Sequence, residues 1–347
     1  MKAGEAKRRM LNIGVRAVGI ALILSGLAIP AYAFWHATRP PVYGLAQQVS
    51  VRLPDQHPSV AVPPYRDGVL VLCYHDLTAQ PHNEYTVTPA AFAAQMTALR
   101  GAGFHTISAD RFARFYEGRR VALPSRPLLI TFDDGAKGTW IYADPVLRRV
   151  GFKATVFLIT GDVEHHQPYY LDWAEVKAMQ ASRRWSFGSH TAEGHGLVPS
   201  NNSGGRGPFL TNRTWLPGEY RLETLGEYRA RVTEDLDRSI EEIESHGLPR
   251  PPIFAFPFSA AVEPTNDPVI GPMLAHLLDL RFSALLDNTT SATLIGPHQP
   301  GPLPRVEVFR KTTAAGLLRK ASAAVSRSTQ GTEPAPPSAP AKAKGGR

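Results

Sequence analysis

The chain has 347 residues, 43% apolar and 20% charged, a globular composition that excludes a wholly disordered protein and allows one large domain or two. Its 38 Lys and Arg against 30 Asp and Glu leave a formal charge of +8, partly terminal, and no basic stripe on a folded module points to nucleic acid. The single cysteine, Cys73, excludes an internal disulfide framework and any multi-cysteine zinc or iron–sulfur site.

A basic stretch, Lys7-Arg8-Arg9 with Arg16 beyond, precedes an apolar run from Ala17 to Trp35 broken only by Ser25 and Pro30. Its length is near the lower limit of roughly 17–25 residues for a membrane-spanning helix. Ala31-Tyr32-Ala33 after Pro30 also fits a signal-peptide cleavage site. Residues 1–35 are therefore expected to be a signal peptide or a membrane anchor. Either reading exports the chain beyond residue 35, because positive charge stays on the cytoplasmic side. Residues 36–66 contain six prolines and little periodicity, and are expected to form an extended tether. From Ser326 the chain is Ser, Pro, Ala, Lys and Gly, expected to be a disordered tail over 326–347.

The block between, 67–325, alternates short β-rich runs with helical patterns. The runs are Val69–Tyr74, Pro127–Phe132, Ala154–Ile159, Trp185–Gly188, Ile253–Pro257, Phe282–Leu285 and Val306–Phe309. Several are nearly continuous apolar stretches, as parallel strands covered on both faces require. Thr88-Pro89 caps a helix with Phe92, Met96 and Leu99 on one face. The longest helix carries Leu225, Tyr228, Val232, Leu236, Ile240 and Ile243 and stops at Gly247. Strand–helix alternation predicts an α/β fold on a parallel sheet, and seven strands in one block favour barrel closure over two domains. Residues 196–219 read as a long surface loop, a length usually functional or mobile.

Three elements carry chemistry. Leu129-Ile130-Thr131-Phe132-Asp133-Asp134-Gly135 puts paired carboxylates where an apolar strand stops, the end at which α/β folds bind ligands. Such a pair can divide labour, one acid on a cation and one moving a proton, although Asp-Asp-Gly also makes ordinary turns. Phe187-Gly188-Ser189-His190-Thr191-Ala192-Glu193-Gly194-His195 follows another strand. A turn through Gly194 can bring its two imidazoles together, and with one carboxylate they make an open metal site; two unrelated surface histidines are the bland alternative. Leu72-Cys73-Tyr74-His75-Asp76 places His75 on the same rim, either functional or a structural partner of Asp76. Cys73 reads as a small core residue and a poor nucleophile.

Together these elements resemble the polysaccharide deacetylases of carbohydrate esterase family 4. The Thr-Phe-Asp-Asp-Gly and Ser-His-Thr…His strings match its first two motifs. The Tyr-His-Asp element and the histidine spacing look most like the branch acting on poly-β-1,6-N-acetylglucosamine. Ile253–Phe258 resembles a variant third motif that lacks the usual upstream arginine and has Phe258 where tyrosine is commoner, so this motif does not say what orients Asp133. Leu171-Asp172-Trp173 resembles a fourth motif, or simply anchors the next helix. Pro304-Arg305-Val306 resembles a closing-strand element, and His298 is the one candidate for a late histidine motif.

The resemblance implies a distorted (β/α)7 barrel over roughly 68–310. It implies a divalent metal on Asp134, His190 and His195, zinc ahead of cobalt, nickel or iron, with Asp133 as general base and His75 as general acid. Phe256, Pro257, Phe258, Trp173 and Arg305 become candidate substrate contacts. The expected partners are an extracellular N-acetylglucosamine polymer and, through the N-terminal segment, a membrane, but no nucleic acid. The aromatics Phe209, Trp215 and Tyr220 either stack on sugar or staple their loop down. Peptidoglycan or chitin-like oligomers are the alternative substrates, and a silent carbohydrate-binding module is the alternative of another class. The +8 balance does not support the polymer as substrate, because a deacetylated polymer is itself cationic; anionic envelope polymers or lipid head groups are the alternative attraction for the basic ends.

Overall fold

The computed structural model describes residues 45–330 apart from Val262 and Thr290; the expected signal or anchor, the first part of the tether and residues 331–347 lie outside the described residues. Seven parallel strands form a closed ring: β1 (Leu70–Tyr74), β2 (Pro127–Phe132), β3 (Ala154–Leu158), β4 (Trp185–Ser189), β5 (Ile253–Ala255), β6 (Ala284–Asn288) and β7 (Leu303–Glu307). Each pairs with the next in chain order, and β7 closes on β1 through Leu72↔Val306 and Cys73↔Glu307. A two-residue strand, His105–Thr106, adds beside the start of β2.

The crossovers are helical: α1 (Pro89–Gly101) and α2 (Ala109–Tyr116) before β2, α3 (Asp144–Val150) before β3, α4 (Thr160–Glu164) and α5 (Trp173–Ala181) before β4, α6 (Leu225–Ser245) before β5 and α7 (Ile270–Asp279) before β6. After β7, α8 (Ala314–Gln330) packs against α1. The Thr88 side chain accepts the Ala91 N–H and Pro89 opens α1, so the expected cap is present. Replacing Thr88 by alanine should lower stability by about 1 kcal/mol, measurable by urea denaturation. On α6, Thr224 and Glu227 form a reciprocal capping box, and Gly247 just past the end sits at φ +79°.

Period-2 alternation sorts the strand residues into two layers. Leu70, Leu72, Tyr74, Leu128, Ile130, Phe132, Val156 and Leu158 face the helices in one core. Val71, Leu129, Phe157, Ile253, Ala255, Ala284, Leu286 and Leu303 fill the barrel in another. Gly188 faces that interior, where a Cβ would stand 2.4 Å from Phe157; the glycine makes room for the ring. Continuing the inward register to the carboxyl ends of the strands reaches His75, Asp133, His190, Asn288 and Glu307. The barrel's own pleat thus delivers these five side chains to one mouth.

Several boundaries differ from expectation. The last two strands are shifted to 284–288 and 303–307, because Asp287 and Asn288 extend β6 past its apolar run and Pro304 and Arg305 break the apolar pattern of β7. Residues 45–66 have no regular structure, as expected, but they do not lead away as a tether. Val51, Val62 and Tyr65 are buried, Ala46 N–H donates to Glu175, and Trp140 Nε1–H donates to Ala46 O at 2.7 Å. Helix α8 runs to Gln330, five residues into the expected tail. The 196–219 segment, expected as loop, holds one short hairpin, Leu197–Pro199 with Arg206–Pro208, and the first strand of another, Trp215–Leu216 with Arg221–Leu222. No helix among the described residues is long and apolar enough to cross a membrane.

Candidate metal centre

Asp133 stands at the end of β2, 2% exposed. Both its oxygens are taken by the Arg305 guanidinium of β7, at 2.6 and 2.7 Å. Arg305 is itself wholly buried. Cys73 Sγ–H adds a weak donation to Oδ2 at 3.4 Å. Burial pushes the Asp133 carboxyl up, but the Arg305 charge, helped by His190, outweighs it and holds the group below its ordinary value. The carboxylate stays ionised at neutral pH. Burial pushes the Cys73 thiol well up, so it is inert, consistent with its reading as a core residue.

The chain then turns sharply. Asp134 adopts φ +68° and Gly135 φ +80°, a left-handed conformation that aspartate tolerates better than most residues. This swings the Asp134 carboxylate away from Arg305 and toward the loop after β4. Its Oδ1 lies 3.4 Å from His190 Nε2 and 3.3 Å from His195 Nε2. One ligand atom from each of the three falls within 4.8 Å of the others. Burial opposes the Asp134 charge, yet the two facing histidines outweigh it and hold its carboxyl well below the usual range. Burial lowers the His195 imidazole, but Asp134 raises it further, above its ordinary value.

Two supports fix the histidines. His190 Nδ1 lies 2.8 Å from Ala255 O; with Nδ1–H donating there, Nε2 is bare and aimed at Asp134, the tautomer a metal ligand needs. The 191–195 turn is held by Asp235 of α6, which accepts the Ala192 and Glu193 N–H groups at 3.2 and 2.7 Å. Gly194 fits beneath because a Cβ there would stand about 3 Å from Phe209, Thr191 and Asp235. Nothing in the motifs points to Asp235, which lies 40 residues beyond His195. Replacing it with alanine strands the buried Ala192 N–H, at a cost of about 1–3 kcal/mol, and frees the half-buried Glu193 N–H. It should also loosen metal binding by about 10–100-fold, as read by competition with a chelator.

A donor set of one carboxylate and two imidazoles suits a catalytic divalent metal, and these side chains fit one without rearranging their supports. A second trio, Cys73, His75 and Asp133, also converges. It does not suit a cation, because Arg305 already occupies both Asp133 oxygens.

The cleft around this centre is about 790 Å³ and is lined by His75, Tyr85, Phe256, Phe258, Asn288 and Glu307 besides the acids and histidines. This is the size range of small-molecule sites. His75 Nδ1 is buried without a partner among the described residues, and its ring lies 5.0 Å from that of Tyr85. Phe258, 49% exposed at φ +59°, lays its ring 4.5 Å from His195. Pro257 is buried and sets the turn that projects it.

Two expected substrate contacts are placed elsewhere. Arg305 lies beneath Asp133, out of reach of a ligand, because β7 turns it into the barrel. Trp173 stacks on His246 at 4.0 Å and donates to Glu164; it opens α5 behind the Asp172–Glu175 capping box and does not line the cleft. His298 packs near Gly118 and Tyr116, also away from it. Phe209 lies under the Arg231 guanidinium and Trp215 against Tyr220, which fits the staple. The motifs miss Tyr85, Asn288 and Glu307, although the period-2 register of β6 and β7 points to the last two.

Residues 120–269 match the family model described as polysaccharide deacetylase. The chain is 23% identical over 210 residues to the Poly-beta-1,6-N-acetyl-D-glucosamine N-deacetylase of Escherichia coli (strain K12), covering 56% of this chain and 31% of that protein. It therefore spans less than a third of that relative. Among solved structures, IcaB from Ammonifex degensii is similar at a TM-score of 0.57 with 25% identity, covering 74% of this chain and 97% of that one. The de-N-acetylase from Aggregatibacter actinomycetemcomitans superposes at 0.62 with 19% identity, over 73% and 100%, a likeness of fold.

Proposed function

We propose that this chain, whose residues 120–269 are a polysaccharide deacetylase domain, hydrolyses N-acetyl groups from a poly-N-acetylglucosamine polymer outside the cytoplasm. The observation that carries the reading is the division of the Asp133–Asp134 pair, one carboxylate bound to Arg305 and the other facing two histidines at 3.3–3.4 Å. The names of the relatives support the polymer, and the basic-then-apolar segment at 7–35 supports export.

Asp134, His190 and His195 would hold a divalent metal, zinc being the first choice for this donor set. When bound, such an ion would supply Lewis acidity to the acyl group and the attacking water. Asp133, ionised and fixed by Arg305, takes the proton of the attacking water. His75, an imidazole on the mouth of the same cleft, gives a proton to the departing amide nitrogen as the C–N bond breaks. Water adds one oxygen to the acyl carbon, and the products are acetate and a glucosamine unit. The N–H groups of Asp133 and Gly135 are engaged with Tyr74 O and Asp133 O, which removes both from stabilising the oxyanion. Phe256 and Phe258 offer apolar surface to the acetyl group and the sugar face.

The experiment is acetate release from β-1,6-linked N-acetylglucosamine oligomers by protein stripped of metal and reloaded with zinc or cobalt. Release that needs metal and disappears in Asp134→Ala and His190→Ala is expected. Release from β-1,4-linked oligomers alone would keep the chemistry and replace the substrate. Silence on both, with sugar binding intact, would leave a binding module.

A further inference from the structure

At the opposite end of the barrel from the metal centre, a second concavity of about 500 Å³ opens beside the short strand at Thr106 and the start of β3. Four cationic side chains line it: Arg111 and Arg114 of α2, Arg120 in the loop after that helix, and Lys153 before β3. All four are exposed, and none makes a side-chain hydrogen bond or ion pair among the described residues. Elsewhere on the domain Arg184, Arg213, Arg231, Arg238 and Arg281 each meet a carboxylate, and exposed cations without one among the described residues, such as Arg66, Arg148 and Arg229, do not share this hollow's lining. One acid, Asp110, shares the lining, which leaves it strongly positive.

Arg111 and Arg114 are three apart on one helix and so are neighbours on its surface, where like charges repel. Gathering two more cations around the same hollow adds to that repulsion unless an anion fills it. The hollow also offers neutral donors. Thr106 Oγ1 accepts the Lys153 N–H at 2.6 Å, and Ser108 Oγ accepts the Arg111 N–H at 3.3 Å. Each hydroxyl keeps its own proton to donate. Planar guanidinium forks with a nearby ammonium and hydroxyls match the oxygens of a phosphate group better than a single carboxylate.

We propose that this basic hollow is a phosphate-binding site, independent of the catalytic cleft. It takes a phosphate ester or diester, and so holds the domain against phosphate-bearing material with the metal centre turned away. The site is built on a strand edge and a helix, so it needs no rearrangement of the barrel.

The test uses the full chain in phosphate-free buffer at low ionic strength. Calorimetric titration with inorganic pyrophosphate is run beside sedimentation with phosphatidylcholine vesicles, with and without phosphatidylglycerol. Two variants are compared, Arg114→Glu/Lys153→Glu and the milder Arg111→Ala/Arg120→Ala, each checked for an unchanged thermal midpoint. At least tenfold weaker pyrophosphate binding in the variants is the expected result and assigns the site to soluble phosphate. Loss of phosphatidylglycerol-dependent sedimentation alone also supports the proposal and makes a lipid headgroup the source. Equal behaviour of wild type and folded variants with both probes overturns it. Retention of heparin without response to either phosphate probe overturns it too, and gives the hollow to a sulfated or carboxylated polymer. If the glutamate variant fails to fold, the alanine variant decides.

Discussion

Replacing Asp133 with asparagine is expected to lower kcat by about 10²–10⁴-fold, the usual worth of a positioned general base, while the chain still binds its metal. The expectation rests on the separation of the two aspartates. Asp134 faces the histidines and Asp133 faces Arg305, so the substitution removes a proton acceptor without removing a ligand. Asparagine keeps the shape and one carbonyl oxygen for the guanidinium but cannot take a proton from water. Asp134→Ala should behave differently, losing bound metal and turnover together. Metal content by mass spectrometry, read beside acetate release, separates the two variants. Near wild-type turnover by Asp133→Asn would move the base elsewhere, with His75 next in reach. Loss of metal in that variant would mean that the two carboxylates share the ion and that their division of labour is wrong.

The sequence alone makes part of this site legible, for a physical reason. Parallel strands covered on both faces are apolar throughout, so Pro127–Phe132 and Ala154–Leu158 stand out, and polar residues at their ends stand out against them. His75, Asp133, Asp134, His190 and His195 are reached that way, and the structure brings all five to one mouth. Arg305 carries the opposite lesson. Its strand is broken in the sequence by a proline and a charge, so the apolar pattern starts three residues too late. A buried arginine looks like a surface one until its partner is known. The third-motif segment lacks an upstream arginine, and the structure supplies one to Asp133 from β7, the last strand of the ring. Trp173 misleads in the other direction, because a large aromatic behind a capping aspartate looks the same in sequence whether it anchors a helix or greets a sugar. Asp235 gives no signal at all, since one acid on a charged helix face is ordinary until the turn it holds is seen.

The Arg305–Asp133 pair also sets the largest stability effect expected of a single substitution. Arg305→Met keeps most of the side-chain volume but leaves the Asp133 carboxylate buried with no cation, and breaking a buried pair in this way costs about 3–5 kcal/mol. The pH dependence comes from the direction of the Asp133 shift. In the wild type the carboxyl lies below its ordinary value, so its contribution is present above the unfolded-state pKa of about 3.9 and is lost only as pH falls through the lower folded value. In the variant, burial without Arg305 should push the same carboxyl up. The protein then gains stability as pH falls and loses it as pH rises through the folded value. The gap between wild type and Arg305→Met is therefore expected to be widest near pH 7.5 and to narrow by pH 5, as measured by urea denaturation at constant metal loading. A gap that does not change between these two pH values would mean that water reaches Asp133 and relieves its burial. Asp133→Leu/Arg305→Met provides the complementary arm, since an apolar pair in this position should recover most of the lost stability without turnover. That outcome would assign the pair to holding a charged base inside a barrel whose packing alone would exclude it.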